Sequence, residues 1–135
     1  MKLRVLLGAA ALILGAAAVA APKKMSPAGV WQNPSGSVRM RIAPCGAQVC
    51  GKVIYANEKA KADAARGGNP NFIGVNLLRD FNRTGPASWA GQVFVPDINR
   101  TVSGTLTMGG PKTVTVRGCA VGRVGCRDQV WTKVG

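Results

Sequence analysis

The sequence predicts an all-β domain: a small, eight-stranded, antiparallel up-and-down barrel with a short helix or loop at 57–71. Three observations point there. Beyond residue 28, apolar and polar residues alternate with the two-residue period of half-buried strands; Val38, Met40 and Ile42 alternate with Ser37, Arg39 and Arg41. Clusters of Gly, Pro and Asn punctuate those runs, so neighbouring strands are joined mostly by tight turns. A chain of 135 residues supports one core at most. An antiparallel meander of this size is left without open edges only when it closes on itself.

The chain begins with Lys2 and Arg4, followed by an apolar run from Val5 to Ala21. The run ends in Ala18-Val19-Ala20, the small-x-small pattern of an export signal. Cleavage is expected after Ala20, because cutting after Ala21 would leave Pro22 beside the scissile bond. The run only just reaches membrane-spanning length, and no lipobox cysteine stands at the junction. Residues 1–20 therefore read as a signal peptide, 21–28 as a flexible leader, and 29–135 as one barrel domain in the periplasm or outside the cell.

Gly29-Val30-Trp31 opens the first strand, and Asn33-Pro34-Ser35-Gly36 turns it. The second strand runs from Val38 to Ile42, Cys45-Gly46 marks the next turn, and Val49 to Tyr55 is the third. Glu58 to Arg66 is a short helix with Asn57 as its cap and Gly67 as its stop. Alone, so short a helix would be marginal. Strand signals resume at Val75 to Leu78 and at Trp89 to Val95. Pro96-Asp97-Ile98-Asn99 then turns the chain into Thr101 to Met108, where Val102, Leu106 and Met108 share a face. Gly109-Gly110 is a hairpin signal before Lys112 to Arg117. Gln129 to Val134 is the last strand. Eight strands leave an interior just wide enough to fill with side chains or to hold one small ligand.

Four cysteines in an exported chain of this size are expected to pair. Their spacing, Cys45-x4-Cys50 and Cys119-x6-Cys126, lacks the tight knuckles of a zinc site and the C-x-x-C of a redox motif. In an up-and-down barrel the connections alternate between the two ends. The connection with Cys45 and Cys50 thus lies at one end, and that with Cys119 and Cys126 at the other. A strand's length of about 15–20 Å separates the ends, whereas a disulfide needs Cα atoms within about 7 Å. The expected pairs are Cys45–Cys50 and Cys119–Cys126.

Composition narrows the function. The 18 Lys and Arg against 5 Asp and Glu give +13; losing residues 1–20 removes two cations and no acid, which leaves +11. No histidine is present, which removes the commonest general base and the commonest metal ligand. Ser-x-x-Lys, GxSxG, GxGxxG and P-loop patterns are absent too, so no enzyme, metal or cofactor is expected. Nucleic acid is not an expected partner: export removes it, and no base-stacking aromatics interleave with the basic residues. An anionic small ligand is compatible with the charge.

Gly29-Val30-Trp31 resembles the Gly-x-Trp start of lipocalins. Three further stretches are more specific: Cys45-Gly46-x-x-x-Cys50-Gly51-Lys52-Val53, Trp89-x-Gly91-x-Val93-Phe94-x-Pro96, and Val116-x-Gly118-Cys119 through Cys126 to Trp131-Thr132-Lys133. Together, from Gly29 to Lys133, they resemble a bacterial family known as domain of unknown function 2147. The resemblance implies an exported, lipocalin-like (calycin-type) barrel and supplies no catalytic residues. The chain departs from that family after Pro96, where Asn99, Arg100 and Val102 stand in place of its usual glycine and aromatic. In lipocalins the tryptophan plugs the closed end beneath a basic side chain from the last strand. The resemblance therefore implies a plug of Gly29, Trp31 and Lys133.

Trp89 and Trp131 are the candidates for a ligand wall, since a large flat apolar side chain stacks on an apolar or cyclic ligand. Arg39 and Arg41 on strand 2 are the candidates for meeting an acidic group. Two functions follow. One is a monomeric carrier of a small apolar or anionic ligand in the cell envelope. The other is a protein–protein module, such as an inhibitor of an envelope enzyme or a surface factor, with a filled barrel and residues 57–71 as its contact. Interior volume separates them.

Overall fold

The computed structural model of the protein describes residues 24–121 and 124–135. The expected signal peptide and its cleavage site after Ala20 lie outside the described residues. Eight strands and one helix follow in order: β1 (Gly29–Gln32), β2 (Val38–Cys45), β3 (Gln48–Ala56), α1 (Glu58–Arg66), β4 (Asn76–Gly85), β5 (Ser88–Val95), β6 (Arg100–Gly110), β7 (Thr113–Val121) and β8 (Val124–Lys133). Each strand pairs antiparallel with the next, and β8 returns to β1 through Trp31 opposite Lys133 and Gln32 opposite Thr132. The barrel is closed, as the strand count and the edge argument require.

Two ends result. One carries the β1–β2 turn, α1 and the β5–β6 turn; we call it the helix end. The other carries the tight turns at Gly46–Ala47, Pro86–Ala87 and Pro111–Lys112.

The helix matches its sequence signals. Asn57 Oδ1 accepts a hydrogen bond from the Ala60 amide at 2.9 Å, which satisfies one of the unpaired first-turn donors. Gly67 ends the helix because only hydrogen fits there: a Cβ would overlap the Pro96 carbonyl oxygen and the Asp97 backbone. Asn69 Nδ2 then donates to Pro96 O at 3.0 Å, so α1 is tied to the β5–β6 turn across the helix end. In that turn Asn99 adopts a left-handed backbone (φ 50°), which asparagine tolerates better than most residues.

Three strands depart from the sequence reading. β4 runs on to Gly85, because the polar stretch past Leu78 has uses that alternation does not reveal. Arg79 stacks over the buried Phe94, its guanidinium carbon 4.4 Å from the ring centre. Asp80 (φ 55°) interrupts the ladder between Arg79 and Asn82, and Arg83 turns toward the plain end. The β6–β7 hairpin turns at Pro111–Lys112; Gly109 and Gly110 belong to β6, with Gly110 opposite Thr113. β8 begins at Val124, well before Gln129, and is held by Arg117–Asp128 and by Cys119–Cys126.

Both disulfides pair as expected, Cys45–Cys50 at the plain end and Cys119–Cys126 toward the helix end. Cys119 and Cys126 sit directly opposite in the β7–β8 ladder, with Cα atoms 4.0 Å apart.

The core is apolar throughout, with no buried polar residue among those described. Trp31, Ile42, Val53, Phe81, Trp89, Leu106 and Val114 are almost fully shielded and occupy the half of the barrel nearer the plain end. The segment 24–28, expected to be a flexible leader, is hydrogen-bonded across that end. Met25 N donates to Pro86 O at 2.9 Å, Arg83 Nη2 donates to Met25 O at 2.7 Å, and the Trp31 indole donates to Pro27 O at 2.8 Å. A buried indole N–H needs a partner, and Pro27 supplies its carbonyl.

Candidate functional site

The other half of the barrel is not filled. A cavity of about 830 Å³ opens at the helix end. Its boundary follows the strands closely. On β2, Val38 and Met40 line it and Ile42 lies below; on β5, Val93, Phe94 and Val95 line it and Trp89 lies below. On β7, Val116 and Gly118 line it and Val114 does not. On β8, Arg127, Gln129 and Trp131 line it and Lys133 does not. Met40, Leu78 and Trp131 thus make a floor, and the tryptophan plug beneath keeps the plain end shut.

The wall is mainly aliphatic and aromatic, and polar groups gather on β8 and at the rim, where Ser35, Asn57, Lys59, Asp63 and Asp97 stand. Such a lining, apolar with a few placed polar groups, is that of a small-molecule site, and the volume lies within the usual range of roughly 300–1,000 Å³. The rim acid Asp63 is already engaged. Lys59 donates to it at 3.0 Å and Arg66 pairs with it as well. The Lys59 hydrogen bond holds the Asp63 carboxyl below its ordinary value, against the opposing effect of burial and with help from the charges of Lys59 and Arg66. A second hollow, about 510 Å³, lies on the outer wall over Ala90, Thr105 and the Cys119–Cys126 bridge. Its one charged residue, Arg117, is bound by Asp128 at 2.7 Å, and that bond lowers the Asp128 carboxyl and raises the guanidinium.

Of the residues singled out from sequence, Trp131 lies in the cavity wall, buried, its indole N–H donating to Gln129 Oε1 at 3.2 Å. Trp89 does not line the cavity; it is packed below it, opposite Leu106. Arg39 and Arg41 face outward, since β2 sends Val38, Met40 and Ile42 inward. Arg39 donates to Gln32 Oε1 at 3.0 Å and lies 5.2 Å from the Tyr55 ring centre, so it does not reach the cavity. Arg41 is exposed on the same outer wall.

Trp31 is fully buried at the plain end, where a plug was expected. Lys133 does not stack on it. The Lys133 side chain runs beside Gly29, whose missing Cβ would stand 2.7 Å from Lys133 Cε. Gly29 also has a positive φ of 144°, so a side chain there would be strained as well as crowded. The cation over a tryptophan at this end is Arg83 over Trp89, 4.6 Å from the ring centre. Arg83 escapes notice in the sequence because the strand signal there ends at Leu78, whereas β4 runs on to Gly85.

Arg127 and Gln129 were missed for a related reason. They lie four and two residues before Trp131 on the same face of β8 and line the cavity while remaining exposed at its open mouth, but β8 carries too little apolar alternation in that stretch to announce a strand. The cross-strand Cys119–Cys126 pair was the available signal, because a directly opposed bridge fixes which neighbours face inward.

Among the described residues, no helix is long and apolar enough to cross a membrane, and no group of three His, Cys, Asp or Glu side chains is placed to hold a metal. No curated protein matches the chain. Among solved structures the chain is similar to protein HP1028 of Helicobacter pylori, described as belonging to the lipocalin family. The TM-score is 0.65 at 12% identity, over 83% of this chain and 85% of that one. At that identity the likeness concerns the fold, a closed lipocalin-like barrel. The model of a family described as uncharacterized proteins conserved in bacteria (DUF2147) matches residues 29–133, every strand from β1 to β8. The chain belongs to that family.

Proposed function

We propose that the protein is an exported carrier that buries a small, mainly apolar ligand in the cavity at the helix end. The observation that carries this reading is the half-filled barrel: a solid floor of Met40, Leu78 and Trp131 under an apolar chamber with an open mouth. Removing apolar surface from water supplies the affinity, at about 25 cal/mol per Å² buried, and the closed lower half keeps the ligand from passing through. Export is supported by the signal-like residues 1–20 and by two disulfides, which persist in oxidising compartments. The open chamber supports this reading over that of a filled barrel acting through residues 57–71.

Native mass spectrometry of the protein purified from its own host tests this. The expected result is a fraction of the protein carrying one small molecule, released on unfolding. Protein that is free of any small molecule but bound to a stoichiometric protein partner would overturn the proposal.

A further inference from the structure

The Trp131–Gln129 hydrogen bond decides what the cavity presents to a ligand. An indole N–H only donates, so the group it meets must be the amide oxygen of Gln129, and the distance to Oε1 is 3.2 Å. With its oxygen engaged, Gln129 offers the chamber its amide nitrogen, which also only donates. Arg127 lies two residues nearer the mouth on the same face, about 7 Å along the strand. Opposite it in the ladder stands Gly118, which also lines the cavity. No carboxylate among the described residues pairs with Arg127: Asp128 is taken by Arg117, and Asp63 by Lys59 and Arg66. One wall of a mainly apolar chamber thus presents an amide donor and a positive charge, with the amide oxygen turned toward Trp131.

We infer that Arg127 and the Gln129 amide clamp the carboxylate of a single-tailed organic acid whose apolar tail lies below them, against Trp131, Met40 and Leu78. The inference rests on the carrier reading and adds the ligand's class and direction: tail toward the floor, acid toward the mouth. Charge-assisted donors prefer a carboxylate strongly over an alcohol.

The test is calorimetric titration of the mature protein with decanoate and with decan-1-ol, which share a tail and differ at the head. Decanoate is expected to bind about tenfold or more tightly than the alcohol. Arg127→Gln should bring decanoate down to the alcohol's affinity and leave the alcohol unchanged. Gln129→Glu, nearly the same shape, keeps an acceptor for Trp131 but turns a carboxylate toward the ligand, and should abolish the preference. Arg41→Gln, on the outer wall, should change neither. Equal binding of the two probes would overturn the clamp and leave the carrier reading standing. A loss of both probes together in folded Arg127→Gln would also overturn it, because Arg127 would then only shape the wall. Binding of neither probe to the unmodified protein would overturn the carrier reading and the clamp with it.

Discussion

Trp31 and Arg41 sit one strand apart and mark the two sides of the wall. The indole is wholly shielded, with its N–H held by Pro27, while the guanidinium lies in solvent. Truncating Trp31 to alanine removes a large buried ring and one hydrogen bond, so Trp31→Ala should destabilise by about 3–5 kcal/mol. Arg41→Gln should stay within about 0.5 kcal/mol of the parent. Urea midpoints at unchanged slope would report both. Such inside–outside assignments were legible wherever apolar residues alternate, as on β2, which placed Arg39 and Arg41 on the polar face. They could not be read on β8, where Arg127 faces inward between polar neighbours and only the pairing with β7 fixes its direction. Which arginine meets the ligand is therefore a question of register, and register in a polar strand is set by its partner.

Among the elements, the helix and most turns were the most legible, because asparagine, proline and glycine act locally; the exception is Gly109-Gly110, which belongs to β6. Asn57 and Gly67 bound α1 where the sequence placed its limits. The lengths of β4 and β8 were not legible, since their polar halves are recruited by contacts far along the chain: Arg79 by Phe94, Arg83 by Met25, Asp128 by Arg117. The disulfide pairing followed from alternating ends, a property of the topology alone. The two bridges close short loops, with cysteines five and seven residues apart, so each should contribute about 2–3 kcal/mol at most. They differ in reach. Replacing Cys119 and Cys126 by alanine loosens the start of β8 and should weaken decanoate binding as well as stability. Replacing Cys45 and Cys50, at the plain end, should lower stability and leave binding intact. Thermal melts and titrations of the two double variants would separate these effects.

At the scale of the whole molecule, the barrel is divided: packed solid beneath Met40, hollow above it. The closed architecture was readable from strand count and the avoidance of edges. The division was not, because it is a sum of side-chain volumes over eight strands, and because the plain end is sealed by residues 24–28 through hydrogen bonds that no local pattern encodes. That division is what separates a container from a solid module, and it can be observed directly. Amide and indole shifts of isotope-labelled protein, followed while decanoate is added, would locate the ligand. The account predicts that Val102, Val116, Gly118, Gln129 and Trp131 move together while Ile42, Trp89 and Leu106 stay in place. Shifts confined to the outer wall around Arg39 and Tyr55, or centred on Trp89 and Leu106, would contradict it.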